Sequence, residues 1–409
     1  MNYQKLNIFS GWLIWIIATY VFVNTIEPTA SFWDCGEFIA SSYKFEVGHP
    51  PGAPFFMLLG RMFSMWVSPE NAAKMINIMS ALCSSFTIMF LFWTVTSLAK
   101  KIALSSGELN NGKIIAILGS GFVGGLAYTF SDSFWFSAVE GEVYAMSSLF
   151  TAIVFWAILK WEAVAEEKHA NRWLVFIAYL MGLSIGVHLL NLLAIPAIVF
   201  VYYFKKNEVT RKGVILASIT GVVILGAIQY VIVPWTVILA SKFELLFVNS
   251  FGLPFNSGLV FYLLLITGII IWALNFTRKK EMVIANTIVL CVTVIMVGYG
   301  SFGIVVIRSL TNPPMDENNP ENAFTLLSYL NREQYGDRPL AYGNFFDSPL
   351  DNSEPYKDGD PVYYQDKEKG KYIISDDKKA SIPNYADEFN MLFPRMYSSD
   401  SKHAAAYKN

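Results

Sequence analysis

The stretch Ser31–Pro54 reads SFWDCGEFIASSYKFEVGHPPGAP and follows the first long apolar run, Ile8–Ile26, which has no charged residue. Asp34 and Glu37 are three apart, so in a helix their carboxylates share one face. Trp33, Phe38 and Phe45 supply an apolar side, the pattern of a helix lying at a membrane surface. His49-Pro50-Pro51-Gly52 then ends any helix, because proline has no amide donor and restricts the residue before it. A carboxylate pair at the mouth of a membrane bundle calls for a chemical reason.

On both sides of this stretch the chain is too apolar for an ordinary soluble domain: 409 residues, 54% hydrophobic and 15% charged, with mean hydropathy +0.42. Apolar runs of roughly 17–25 residues mark spanning helices, and about nine are present: 8–26, 72–99, 113–130, 142–160, 173–188, 190–204, 213–239, 258–276 and 282–307. The 173–204 stretch holds two spans only if it turns near Gly186-Val187-His188. The piece 53–67, which carries Arg61, reads as a juxtamembrane or partly inserted helix. The first run lacks a small-residue cleavage site and reads as a retained helix.

Lys5, then Lys100, Lys101 and Lys113, then Lys160, Lys168 and Arg172 fall on alternate loops. Lys205, Lys206, Arg211 and Lys212, then Arg278, Lys279 and Lys280, continue the series. The opposite loops carry Asp34, Glu37, Glu46, Asp132, Glu140 and Glu244. The positive-inside rule therefore places the N-terminus in the cytoplasm and the first loop outside. Residues 1–308 form the membrane domain; 309–409 form a polar outer segment of turns and surface loop, with no spanning run and no closing element at SSDSKHAAAYKN.

The formal net charge of −2 and the lack of a basic stripe argue against a nucleic-acid partner. Cys35, Cys83 and Cys291 lack metal-ligand spacing and read as packing residues. No P-loop, GxGxxG, HExxH or Ser-His-Asp signature appears. The polar groups on the outer side are Asp34, Glu37, His49, Arg61, Glu140, Glu142, Tyr144, His188, Asn191 and Arg308. Each has a bland reading: a lone arginine snorkels, a lone histidine is a satisfied core residue, and Glu140 and Glu142 pair with Arg61. Their convergence on one face favours chemistry, since ionisable groups at membrane depth are costly. A carboxylate beside a hydroxyl can act as general base, and arginine and histidine suit a phosphate leaving group.

Ser31–Phe56, WFSAVEGEVYAMSSLF (135–150), GLSIGVHLLNLLAIPA (182–197) and RSLTNPPMDENNPENAFTLLSYLNREQYGDRPL (308–340) resemble a family of multi-pass membrane proteins common in Bacteroidota. That family is related to a vertebrate transmembrane O-mannosyltransferase and is placed among the GT-C glycosyltransferases. The resemblance implies an all-α polytopic GT-C-like bundle in the bacterial inner membrane, with active site and C-terminus periplasmic. It further implies a polyprenyl-phosphate sugar as donor, membrane lipid around the bundle and an extracytoplasmic protein as acceptor. The acidic motif of the family's first outer loop maps to Asp34 and Glu37, with Asp34 as base. Arg61, His188 and Arg308 are then expected at the lipid phosphate, with His49 shaping the loop. No cofactor is firmly implied, and the carboxylates with histidine admit a divalent metal. Family members are usually longer, so the chain reads as a fragment or a short variant. Two other classes stand beside this reading: a transporter or flippase of a lipid-linked precursor, and a non-catalytic membrane subunit of an envelope complex.

Overall fold

The computed structural model describes residues 2–336 and 338–408. In chain order the helices are α1 Tyr3–Asn24, α2 Cys35–Lys44, α3 Pro54–Ser64, α4 Ala72–Ser105, α5 Asn111–Thr129, α6 Asp132–Ala138, α7 Val143–Ala163 and α8 Arg172–Ile185. They continue with α9 Ile195–Lys206, α10 Arg211–Ala227, α11 Val233–Leu245, α12 Ser257–Lys279, α13 Val283–Tyr299, α14 Gly303–Ser309, α15 Ala323–Asn331 and α16 Ser401–Lys408. Contacts divide the chain into Met1–Thr236 with Leu265–Glu321, and Val237–Leu264 with Asn322–Asn409.

Among the described residues eight helical stretches are long and apolar enough to cross a membrane, the fold expected of an all-α polytopic protein. The stretch expected as a further span, 173–188, forms the shorter apolar helix α8 of 14 residues, and His188 just beyond its end has its ring 5.4 Å from that of Tyr144 at the start of α7. Its end lies where the turn was expected: α8 stops at Ile185, and a 3₁₀ segment begins at Leu189 and leads into α9. Only 6% of the most apolar window of α12 is buried within the chain, so its apolar surface needs lipid or another apolar neighbour to cover it. The run expected as a 213–239 span is longer, a continuous helical stretch Arg211–Ser250. Pro234 has no amide to donate, and a π-turn at Ile228–Ile232 just before it accommodates the lost bond.

The first unit has its core where α1, α4 and α6 meet: Ile14, Ala18 and Phe22 pack against Ala81, Ile88 and Phe92, with Phe134 and Ala138 closing the end. The aromatic rings of Phe22 and Phe134 meet edge-on with centroids 5.9 Å apart. Helices α8 and α13 approach most closely at two glycines. A Cβ added to Gly298 would lie 2.4 Å from the Gly182 carbonyl carbon, so nothing larger fits.

The second unit carries three nested antiparallel pairs: β1 (Tyr342–Gly343) with β6 (Met391–Leu392), β2 (Tyr356–Lys357) with β5 (Ile382–Pro383), and β3 (Val362–Asp366) with β4 (Lys371–Asp376). Glu244 organises this unit: its carboxylate accepts from the Asn256 and Leu259 amides (2.6 and 3.1 Å) and from the Tyr372 hydroxyl (3.2 Å). The stretch expected to end without a closing element instead forms α16, with Asp400 Oδ1 accepting from Lys402 N at 2.8 Å. An N-cap aspartate before His-Ala-Ala-Ala is a good helix start.

Candidate functional site

The first loop is tied down by a residue inside a spanning helix. Asn77 of α4 is fully buried, and its Nδ2 donates to the Glu27 and Thr29 carbonyls (2.7 and 2.9 Å). Glu27 N in turn donates to Val139 O at 3.1 Å, joining the loop to the segment between α6 and α7. Trp33 then takes a left-handed backbone (φ 61°) and its ring is 88% exposed. The Asp34 side chain beside it is 56% exposed.

Asp34 is the N-cap of α2, yet its side chain makes no capping hydrogen bond and stays available. Glu37, one turn on, binds His49 twice: its Oε1 accepts from the His49 amide at 2.6 Å and contacts Nδ1 at 2.9 Å. With Nδ1 held there, Nε2 of His49 lies 3.9 Å from Asp34 Oδ2. Burial raises the proton affinity of Glu37, but the His49 hydrogen bonds and charge outweigh it, and its carboxyl lies below the ordinary range.

The other end of α2 belongs to two arginines. Arg61 of α3 donates through Nη1 to Tyr43 O and lies over the Tyr43 ring, 5.5 Å from its centroid. Arg308 of α14 donates through Nε to Phe45 O at 2.5 Å and covers the Phe45 ring at 5.4 Å. Phe45 ends the helix in the left-handed conformation, so both guanidiniums meet carbonyls at the negative end of the α2 dipole. Across ten residues this is about 15 Å from Asp34. Neither arginine pairs with a carboxylate among the described residues, so Glu140 and Glu142 are not their partners.

Glu140 and Glu142 approach Asp34 from the segment before α7. Glu142 caps that helix, accepting from Val143 N at 2.7 Å, and is 7% exposed. Gly141 between them is pressed on α4 and α2: an added Cβ would lie 2.8 Å from Asn77 Oδ1 and 3.0 Å from Ile39 Cγ1. Glu140 is 4% exposed, and its Oε2 has no hydrogen-bond partner. The buried Cys35 thiol hydrogen-bonds Glu140, and burial, then this neighbour, pushes the thiol well up. Burial also pushes Glu142 up to about 7; the Val143 amide opposes this, while the charges of Asp34 and Glu140 add to it. Asp34, Glu140 and Glu142 thus form one electrostatic cluster.

Tyr144, 46% exposed, has its ring 5.4 Å from that of His188. Nδ1 of His188 accepts from Leu190 N at 3.1 Å, which leaves the proton of a neutral ring on Nε2. Asn191 is fully buried and donates to Ser184 Oγ at 3.0 Å, a contact inside the bundle. The structure therefore gathers Asp34, Glu37, His49, Glu140 and Glu142, pairs Tyr144 with His188, and gives Arg61 and Arg308 to the far end of α2. No group of three or more His, Cys, Asp or Glu takes a metal-binding arrangement among the described residues. Reading the sequence alone overlooks Asn77, although a lone amide within an apolar run is a usable signal. It also takes Cys35 for a packing residue only.

The fold and this cluster define a class: a polytopic all-α membrane protein with a carboxylate-rich site at the loop end of its bundle. Residues 34–211 match the family described as the Protein O-mannosyl-transferase TMEM260 N-terminal domain, and the chain is related to that family. Residues 336–409 match a family of unknown function (DUF8416). Similar curated proteins are the Protein O-mannosyl-transferase tmem260 of Dictyostelium discoideum, 26% identical over 54% of this chain, and the Protein O-mannosyl-transferase TMEM260 of Mus musculus, 27% identical over 52%. The matched regions make up 26% and 28% of those proteins, so the chain spans about a quarter of their length. No solved structure matches.

Proposed function

We propose that the chain is a glycosyltransferase that moves a hexose, mannose in the first instance, from a polyprenyl-phosphate carrier to a protein hydroxyl at the outer face of a bacterial inner membrane. The observation that carries the proposal is the Asp34–His49–Glu37 constellation, set beside two buried carboxyls in the region that relates the chain to the TMEM260 proteins. The distribution of Lys and Arg supports a cytoplasmic N-terminus and a periplasmic site.

In this reading Asp34, exposed and uncommitted to capping, takes the proton of an acceptor serine or threonine. The freed oxygen attacks the anomeric carbon, the bond from that carbon to the phosphate oxygen breaks, and polyprenyl phosphate leaves with the electron pair. Glu37 holds His49 so that Nε2 faces Asp34 and keeps the base oriented. Tyr144 and His188, whose rings lie 5.4 Å apart, are assigned to the leaving phosphate. Arg61 and Arg308 fix α2 through its last carbonyls.

The test uses the purified chain, a synthetic polyprenyl-phosphate mannose and an acceptor peptide. Asp34→Asn should lower turnover by roughly 10²–10⁴-fold with donor binding largely kept, and Glu37→Gln should lower it less. Parent-like turnover in Asp34→Asn would remove Asp34 as the base. A second assignment, Glu142, is favoured by its carboxyl lying at about 7, near a working pH.

A further inference from the structure

The acidic cluster sits at one end of the bundle, where α7 begins. At the opposite end, where α7 gives way to α8, a cavity of about 520 Å³ lies between the start of α8 and the turn joining α12 to α13. Lys168 and Arg172 line it from the α7–α8 side and Arg278 from the end of α12, against a single carboxylate, Glu281. None of the three cations takes part in an ion pair among the described residues. Lys206, on the neighbouring α9, spends its charge on Glu166 at 2.9 Å.

The backbone adds to this field. Helices α8 and α13, of 14 and 17 residues, both begin at the cavity, and neither has a side chain capping its first turn. Their positive ends therefore face the same space as the three cations. The frame is firm, because Asn171 Nδ2 donates to Thr287 Oγ1 at 3.2 Å and Asn286 Nδ2 to Thr277 Oγ1 at 2.9 Å. Deeper in, Val175 and Leu290 make the wall apolar, and the adjoining face of α13 exposes Val283, Ile284 and Ile288.

From a cationic rim over an apolar wall, at the end of spanning helices, we infer a binding site for the headgroup of an anionic phospholipid. The phosphate meets Arg172, Arg278 and Lys168, and the acyl chains follow the α13 face. A free phosphate ion shares the first half of this chemistry and lacks the second. That apolar continuation is why the site is assigned to a lipid. The inference does not depend on the proposed transferase activity.

The test is lipid binding to the purified full chain in detergent, followed by native mass spectrometry. The probes are short-chain phosphatidylglycerol, phosphatidylcholine with the same chains, and inorganic phosphate. A cation near a lipid phosphate contributes about fivefold in affinity. Arg172→Gln/Arg278→Gln should therefore weaken phosphatidylglycerol binding by roughly 30-fold and leave phosphatidylcholine unchanged. Lys168→Gln alone should weaken it about fivefold and serves if the double variant fails to fold. Lys205→Gln/Lys212→Gln, exposed cations elsewhere, should leave binding within about twofold. Three results would overturn the site: no preference for phosphatidylglycerol in the parent, equal loss in the Lys205/Lys212 control, or full retention in the site variants. Displacement of the lipid by equimolar inorganic phosphate would overturn its assignment to a lipid.

Discussion

Glu142→Gln isolates the clearest electrostatic feature of the candidate site. The Glu142 carboxyl titrates at about 7 in place of the ordinary 4.5, chiefly because it is buried, with the charges of Asp34 and Glu140 adding to the effect. At 1.36 kcal/mol per tenfold change in proton affinity, ionising it costs the folded state about 3 kcal/mol. The sign follows from proton counting. Between pH 4.5 and about 7 the folded chain keeps a proton that the unfolded chain has released, so stability falls as pH rises through this window and levels above it. Glutamine removes the charge and retains an oxygen for Val143 N, so the α7 cap survives. The variant should exceed the parent by less than about 1 kcal/mol at pH 5 and by up to about 3 kcal/mol at pH 8. Thermal unfolding of purified parent and variant in one detergent, from pH 5 to 8.5, reads this directly. The difference in melting temperature should grow from about pH 4.5 and level above about pH 7; with Asp34→Asn in both chains it should level at lower pH and reach a smaller value, because one repelling charge is gone. Parallel melting curves across the whole range would refute the burial of an ionisable Glu142 and the cluster built on it.

Two further outcomes follow from other parts of the structure. Gly141→Ala puts a methyl group 2.8 Å from Asn77 Oδ1 and 3.2 Å from Ile76 Cγ2, so the segment bearing Glu140 and Glu142 must shift. The expected cost is about 1–3 kcal/mol of stability and a loss of turnover near 10²-fold, and retained turnover with lowered stability would separate packing from positioning. Cysteine in place of the exposed Leu253 should react with an impermeant thiol reagent in intact cells, while cysteine in place of Glu208 should not; labelling at 208 would reverse the orientation.

The membrane bundle was legible in the residues because the constraint behind it is local. A spanning backbone must satisfy its own hydrogen bonds, so length and hydropathy of each run nearly suffice. Helix α8 shows the limit: hydropathy marks the 173–204 stretch as apolar throughout, but only the structure shows the helix stopping at Ile185 and a 3₁₀ segment starting at Leu189. Asp34 and Glu37 were legible for a related reason, since a turn of helix puts them on one face; His49 joins them only because the chain reverses after Phe45.

What the tertiary structure decided was partnership. Arg61 and Arg308 are 247 positions apart, yet they close on the same end of α2. Asn77 reaches back 50 and 48 residues to hold the first loop, and Glu142 owes its high proton affinity to burial and to charges from separate segments. The second unit was the least legible part, because two-residue strands paired across about fifty residues, as Tyr342 is with Leu392, carry no periodicity to read. Hydrophobic periodicity reports what one element must bury, and only packing determines which distant polar group it meets when it does.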